Sequence, residues 1–287
     1  MVYDRAGQKD VRGENISKVV TVLAQKKFKL MPLLKQLSSS NMTETYFEED
    51  ATILTASGTR DIKGIGKYSE FPTVNRSWTK TSSEHVKYGA ESKISMEDLR
   101  LGAFNMQSRT VDGIAEAIVN RIDQAIYAAL TAATSTSGTV AAVANWDSST
   151  AANQNPINDI LRGIQAMDEN NYDAQENGYL LVNPHDYASL MQNSKVINNP
   201  TFKTADVVSN GKMGQVCGLT IVKTTSVTAD ESIIIIGQKT AQWQSAVGFE
   251  SAIIQDEGKS TVFRSWQMGQ IQIIHKKAIY TITNTEE

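Results

Sequence analysis

Residues Ser108–Ala133 read SRTVDGIAEAIVNRIDQAIYAALTAA. Ile114, Ile118, Ile122, Ile126 and Leu130 recur every four residues, and Ala115, Ala125, Ala129 and Ala133 set small side chains beside them. That spacing predicts one helix with a single apolar face. At 1.5 Å per residue the helix is about 39 Å long, roughly twice the reach of a usual helix of about 11 or 12 residues. A long, alanine-rich, one-sided helix reads as a spine against which a sheet packs. Just ahead of it, Ser95-Met96-Glu97-Asp98 reads as a serine N-cap with acids in the first turn, where the helix dipole favours them.

Toward the N-terminus the charge changes. Residues 1–40 hold eight Lys/Arg against three Asp/Glu, whereas residues 101–200 hold four against ten. Ile16, Val19, Val20, Leu23, Leu30, Leu34 and Leu37 keep a helical period, but Pro32 removes a helix hydrogen bond, so two short helical pieces are predicted to meet there. Ser38-Ser39-Ser40-Asn41 ends this arm as a loop. Its lysines fit an arm that meets a polyanion or an acidic surface, and equally the solvated face of an amphipathic helix. Residues 41–93 hold Thr, Ser, scattered charge and the aromatics Tyr46, Phe47, Tyr68, Phe71, Trp78 and Tyr88, with no continuous apolar face. They suit extended strands joined by a projecting loop, whose aromatics need a partner surface, or an ordinary β-region.

Beyond the spine, residues 134–155 lack periodicity and mark a boundary. Pro156 opens a predicted helix to about Asn170, with Ile157, Ile160, Leu161, Ile164 and Met167 on one face. Strands are predicted at 179–182, 218–223 and 232–236, with a helix over 186–191, so residues 156–243 form an α/β unit. Strands at 249–255, 260–266 and 270–283 follow, with turns at Glu257-Gly258 and Met268-Gly269.

The inventory of reactive groups is thin. Of 287 residues only 21% are charged, while Ser, Thr, Asn and Gln number 86. The lone Cys217 excludes a thiolate zinc site and a CxxC redox pair, and it reads as a small buried residue. The histidines at 85, 185 and 275 lie far apart. No phosphate-binding loop, HExxH or GxSxG occurs, and Gly64-Ile65-Gly66 is only a fragment of a dinucleotide fingerprint. His185-Asp186 after Asn183-Pro184 reads as helix capping before it reads as a catalytic pair, and Glu48-Glu49-Asp50 as an exposed acidic turn before a cation site. No catalytic, cofactor-binding or metal residue is therefore assigned. No apolar run is long enough to span a membrane, so no membrane partner is expected.

The order of parts, together with ISMEDLRL (94–101) leading into the spine, LLVNPHDYASL (180–190), VCGLTIVKT (216–224), FRSWQMG (263–269) and AIYTI (278–282), resembles the major capsid proteins of tailed phages. The resemblance implies an α+β, Hong Kong 97-type capsid fold with a long spine helix, peripheral β-sheet, central α/β axial domain, extended β-loop and N-terminal arm. The implied divisions are an arm at 1–40, the extended loop and flanking strands at 41–93, a peripheral domain with the spine at 94–140, an axial domain at 141–243, and returning peripheral strands at 244–287. Lys63, Lys67, Tyr68, Phe71 and Trp78 in the loop, with Phe28, Leu30 and Met31 in the arm, become candidates for contact between subunits. The implied function is self-assembly, without an active site, into an icosahedral shell around double-stranded DNA. The implied partners are other copies in hexamers and pentamers, DNA held without sequence specificity on the inner face, a separate scaffolding protein, and portal and decoration proteins. The protein would be made in a host cytoplasm and reside in the virion. An encapsulin-type nanocompartment shell is the alternative, and a soluble α/β enzyme using His185 a more distant one.

Overall fold

A computed structural model describes residues 20, 22–24, 27–49, 62–73, 78–101, 106–134, 138–148, 150, 153–197, 214–256 and 258–286. The readings made above for residues 1–19, Asp50 and Glu257 lie outside them. The chain divides into two compact units, one of Met1–Glu44, Ser83–Tyr127 and Trp243–Gln272, the other of Thr45–Ser82, Ala128–Gln242 and Ile273–Glu287.

The first unit is built on a four-stranded sheet. Strands β1 (Lys35–Ser38), β4 (Val86–Ser95), β10 (Ala241–Asp256) and β11 (Ser260–Ile273) lie in the order β1-β10-β11-β4. β11 runs antiparallel to β4 from Ser260 opposite Ser95 to Gly269 opposite Val86. At the end of β4 the Ser95 hydroxyl accepts from the Asp98 amide at 3.1 Å and donates to the Asp98 carboxylate at 2.7 Å, which caps helix α1 (Met96–Leu101) as the sequence predicts. The spine is helix α2 (Met106–Thr134). Ile114, Ile118, Ile122, Ile126 and Leu130, the predicted row, are all buried, and Val111 is buried one turn earlier. Ile118 and Arg121 of α2 line one concavity with Val86–Ala90 of β4, so the helix faces that sheet.

Two details of this unit depart from the sequence reading. Lys35–Ser38 is a strand, not a second helical piece: past Pro32, whose ring fits the 3-10 turn Met31–Leu33, the backbone extends and its amides and carbonyls pair along an edge. Met268-Gly269 is no turn either, because both residues lie inside β11. A Cβ on Gly269 would stand 2.5 Å from Cζ2 of Trp243, so the glycine serves close approach of a buried indole.

The second unit holds a six-stranded sheet. It orders β5 (Thr139–Ala141), β12 (Ile279–Thr283), β9 (Glu231–Ile236), β6 (Gly178–Val182), β8 (Leu219–Lys223) and β7 (Gln215–Val216). β6 is parallel to β8 and antiparallel to β9, while β12 lies antiparallel to β9 and parallel to β5. The last strand thus belongs to this sheet and not with β11. Its buried Tyr280 and Ile282 complete the same core as Ile234 and Ile236. Helix α3 (Pro156–Glu169) buries Ile160, Ile164 and Met167, and Gly163 lets it approach Ile234 and Tyr280, where a Cβ would come within 2.9 Å of both. Helices α4 (Ala174–Asn177) and α5 (Pro184–Gln192) flank β6 in sequence; Asn183 caps α5 by accepting from the His185 amide at 3.1 Å. Cys217 and Gly218 both take positive φ and turn β7 into β8, so Cys217 is half-buried at a turn. Burial pushes its thiol up, away from nucleophilic chemistry.

Candidate subunit interface

The extended segment leaves from a two-stranded ribbon of β2 (Thr43–Glu49) and β3 (Trp78–Glu84). Alternation along β2 separates two faces: Thr43, Thr45 and Phe47 are exposed, while Glu44, Tyr46 and Glu48 turn inward. The inward face is tied down within the second unit. The nearly buried Glu48 carboxylate meets Lys276 Nζ at 2.6 Å, and the Tyr46 hydroxyl donates to Glu48 at 3.4 Å. Glu49 lies 3.4 Å from His275 Nδ1, which is also 3.2 Å from the Tyr172 hydroxyl, and the Glu49 amide donates to Ile274 O at 2.9 Å. Glu48 and Glu49 are therefore partnered strand residues, not the exposed acidic turn read from the sequence. Strand alternation and a basic Lys276 from the far end of the chain explain the difference.

The outward face carries rings. Phe47 and Trp78 meet edge to face at 6.4 Å, each about half exposed (51% and 50%). Farther out, Gly64 at φ 77° and Tyr68 at φ 64° bend the chain, and the Ser69 amide closes a turn on Gly66 O at 3.1 Å. Tyr68 is fully exposed and Phe71 80% exposed; Ile62 and Ile65 are exposed beside the solvated Lys63 and Lys67. Scattered single hydrophobics on a surface need no explanation, but two rings and two isoleucines stand exposed within ten residues, interspersed with Lys63, Lys67 and Glu70.

The arm candidates divide differently. Phe28 and Leu30 are buried in the chain's own first unit, so their apolar surface is already used; Met31 is half-buried. Two acidic contacts on α2 hold them there. Lys27 Nζ lies 2.5 Å from Asp112 and 3.3 Å from Glu116, and the buried Asp123 carboxylate accepts from the Lys29 and Leu30 amides at 3.1 and 3.3 Å. Burial raises the Asp123 pKa, opposed by the backbone donors of Lys29, Leu30 and Met31. The acidic surface met by Lys27 is the chain's own spine. Sequence reasoning missed Asp123, and the available signal was a carboxylate directly beside the apolar row at Ile122 and Ile126.

A separate cluster lies in the second unit. His185 and Asp186 open α5, and Glu286 reaches them from the C-terminal segment, with His185 Nδ1 3.4 Å from Glu286 Oε1. Asp186 is fully buried, and its Oδ2 accepts from Ser232 at 3.2 Å and Thr285 at 3.0 Å. Desolvation lifts its carboxyl to about 6; the two hydroxyls oppose the rise and Glu286 adds to it. Among the described residues no helix is long and apolar enough to cross a membrane.

Comparison with known structures places this fold. The capsid of Cyanophage P-SCSP1u is 15% identical, with a TM-score of 0.69 over 90% of this chain and 88% of that one. A virus-like particle from Pyrococcus furiosus is 15% identical, with a TM-score of 0.63 over 94% and 98%. The capsid of a native GTA particle is 12% identical, with a TM-score of 0.64 over 91% and 90%. No curated protein sequence is significantly similar to the chain. The spine, the four-stranded sheet, the six-stranded α/β unit and the extended ribbon are thus those of a capsid shell protein with the Hong Kong 97-type fold, and a family model for phage capsid protein matches residues 79–274. The chain belongs to the phage capsid protein family, as a shell component of the tailed-phage type that works in many copies.

Proposed function

We propose that this shell encloses packaged double-stranded DNA, and that residues 62–73 lie on a neighbouring subunit while the arm lies on the inner side. The observation that carries the reading is the apolar tip at Tyr68 and Phe71, uncovered within its own chain and flanked by Lys63 and Lys67. Burying such rings against another copy supplies roughly 1.5–3 kcal/mol per side chain, and repetition over many copies multiplies it. Trp78 and Phe47, where the loop leaves the ribbon, offer a second exposed pair of rings; Met31 is the arm residue left with surface to offer. The role is structural, with no catalytic work for His185 or Asp186, and scaffolding, portal and decoration proteins would be met through the assembled shell. Synthesis would take place in a host cytoplasm.

The Tyr68→Ser, Phe71→Ser double variant tests it. The subunit should melt like wild type, since both side chains are solvated, while electron microscopy should show loss of closed shells. Normal shells from the double variant would overturn the assignment of the tip. A nanocompartment reading is favoured by the virus-like particle from Pyrococcus furiosus; nuclease-resistant DNA of uniform length inside purified shells would decide against it.

A further inference from the structure

The His185, Asp186 and Glu286 cluster has the makings of a site that neither capsid assembly nor helix capping uses. One carboxylate oxygen of Asp186, Oδ2, is fully engaged by Ser232 and Thr285. The other, Oδ1, has no hydrogen-bond partner although the residue is wholly buried, and Glu286 Oε2 is likewise buried and unpartnered. A buried anionic oxygen without a donor is costly and rare enough to call for a missing partner. Two carboxylates side by side worsen the cost, because each repels the other. One cation answers both oxygens.

The geometry points to a divalent transition-metal site, of the zinc class, formed by His185 Nδ1, Asp186 Oδ1 and a Glu286 carboxylate oxygen. One ligand atom from each of the three residues lies within 4.8 Å of the others. The His185 Nδ1 to Glu286 Oε1 separation of 3.4 Å equals the distance between two corners of a tetrahedron whose bonds are roughly 2.0–2.1 Å long, the length of zinc–nitrogen and zinc–oxygen bonds, and Oε2 of the same carboxylate is the buried oxygen without a donor. One imidazole and two carboxylates suit zinc or a similar first-row ion, whereas magnesium and calcium favour oxygen alone. Two negative charges and a neutral imidazole balance a 2+ ion. Ser232 and Thr285 donate to Asp186 Oδ2 and leave Oδ1 without a donor; such outer hydrogen bonds usually accompany metal-binding carboxylates.

Bound metal would fasten the chain's C-terminal segment to the start of α5. Without it the segment is held by neutral or backbone-donated hydrogen bonds: the Trp146 amide to Thr285 O at 2.9 Å, the Glu286 amide to Asp230 Oδ1 at 3.1 Å, Asn284 Nδ2 to Asn145 Oδ1 at 2.9 Å and the Thr285 hydroxyl to Asp186 Oδ2 at 3.0 Å.

Chelator-stripped full-length protein, titrated with zinc chloride in a calorimeter, should bind one ion per subunit and melt at a higher temperature with zinc; magnesium chloride should do neither. Glu286→Gln, at a partly exposed position that leaves folding intact, and His185→Ala should each weaken zinc binding by roughly tenfold or more. His85→Ala should leave it unchanged, which separates this site from adventitious imidazole binding. Absence of zinc binding in the wild type would overturn the assignment, and so would unchanged affinity in the His185→Ala, Glu286→Gln double variant with a native circular dichroism spectrum.

Discussion

Replacing Asp123 by alanine should free the arm from the spine. The wild-type carboxylate is 2% exposed and accepts from the backbone amides of Lys29 and Leu30, with Met31 adding a further backbone donor. Alanine leaves those amides without an acceptor, at about 1–3 kcal/mol for each one that stays buried. Part of this is offset, because the wild type bears the cost of keeping a carboxylate out of water, as its raised pKa records. A net loss of about 3 kcal/mol in arm docking follows, in line with the larger single-residue effects seen in proteins. At 1.36 kcal/mol per factor of ten, that is roughly a hundredfold rise in the undocked population. Hydrogen exchange read by mass spectrometry over residues 27–38 is the direct assay, since amides there exchange through undocking. Exchange should accelerate by about that factor in the arm while β6 and β9 keep their protection. Asp123→Asn, which retains one carbonyl acceptor, should fall between the two. Unchanged exchange in Asp123→Ala would refute the claim that this carboxylate holds the arm.

Gly269→Ala should destabilise the first unit by about 1–3 kcal/mol in denaturant melts, because its Cβ would fall 2.5 Å from the Trp243 ring inside β11; a neutral substitution would show that the indole moves aside. Burial holds the carboxyl of Asp159 above the usual carboxylate range, against hydrogen bonds from Trp146 Nε1 at 3.2 Å and the Val143 amide at 3.3 Å. The folded chain therefore binds that proton more tightly than the unfolded chain, so this contribution to stability is complete below the ordinary carboxylate pKa and is lost as pH rises through the raised one. Denaturant melts of wild type and Asp159→Asn at about pH 4 and pH 7 should show the wild type losing more stability on the way up than the variant; parallel losses would contradict it. Ile126→Ala, on the fully buried row of the spine, should cost about 2–5 kcal/mol in the same melts.

Some of these residues were readable from the chain and some were not, and the division follows sequence distance. Ser95 and Asp98 act across three positions, so the cap was plain from the letters. The four-residue recurrence from Ile114 to Leu130 is a local period and appears in the structure as one continuous buried row. Tyr68, Phe71 and Trp78 were recognisable as rings without a local apolar face, and they stand exposed. Phe28 and Leu30 looked equivalent to them but are buried in a fold where the Leu30 amide meets Asp123 93 positions away and Phe28 shares a concavity with Trp243 and Phe249. Gly269 looked like a turn because a glycine in a string of letters does not reveal whether it bends the chain or admits a neighbour's ring.

By itself, then, the sequence determined the spine, the helix from Pro156, the strand before Asn183-Pro184 and the order of parts that marks a capsid shell protein, since propensity, capping and periodicity act within a few residues. Only the tertiary structure decided that Lys35–Ser38 pairs as an edge strand and that Ile279–Thr283 joins the six-stranded sheet. Asp123 reaches Lys29 across 94 positions, and Thr285 reaches Asp186 across 99. Contacts of that span leave no period in the chain; they exist because hydrogen-bond donors and carboxylates buried together must satisfy one another wherever folding brings them.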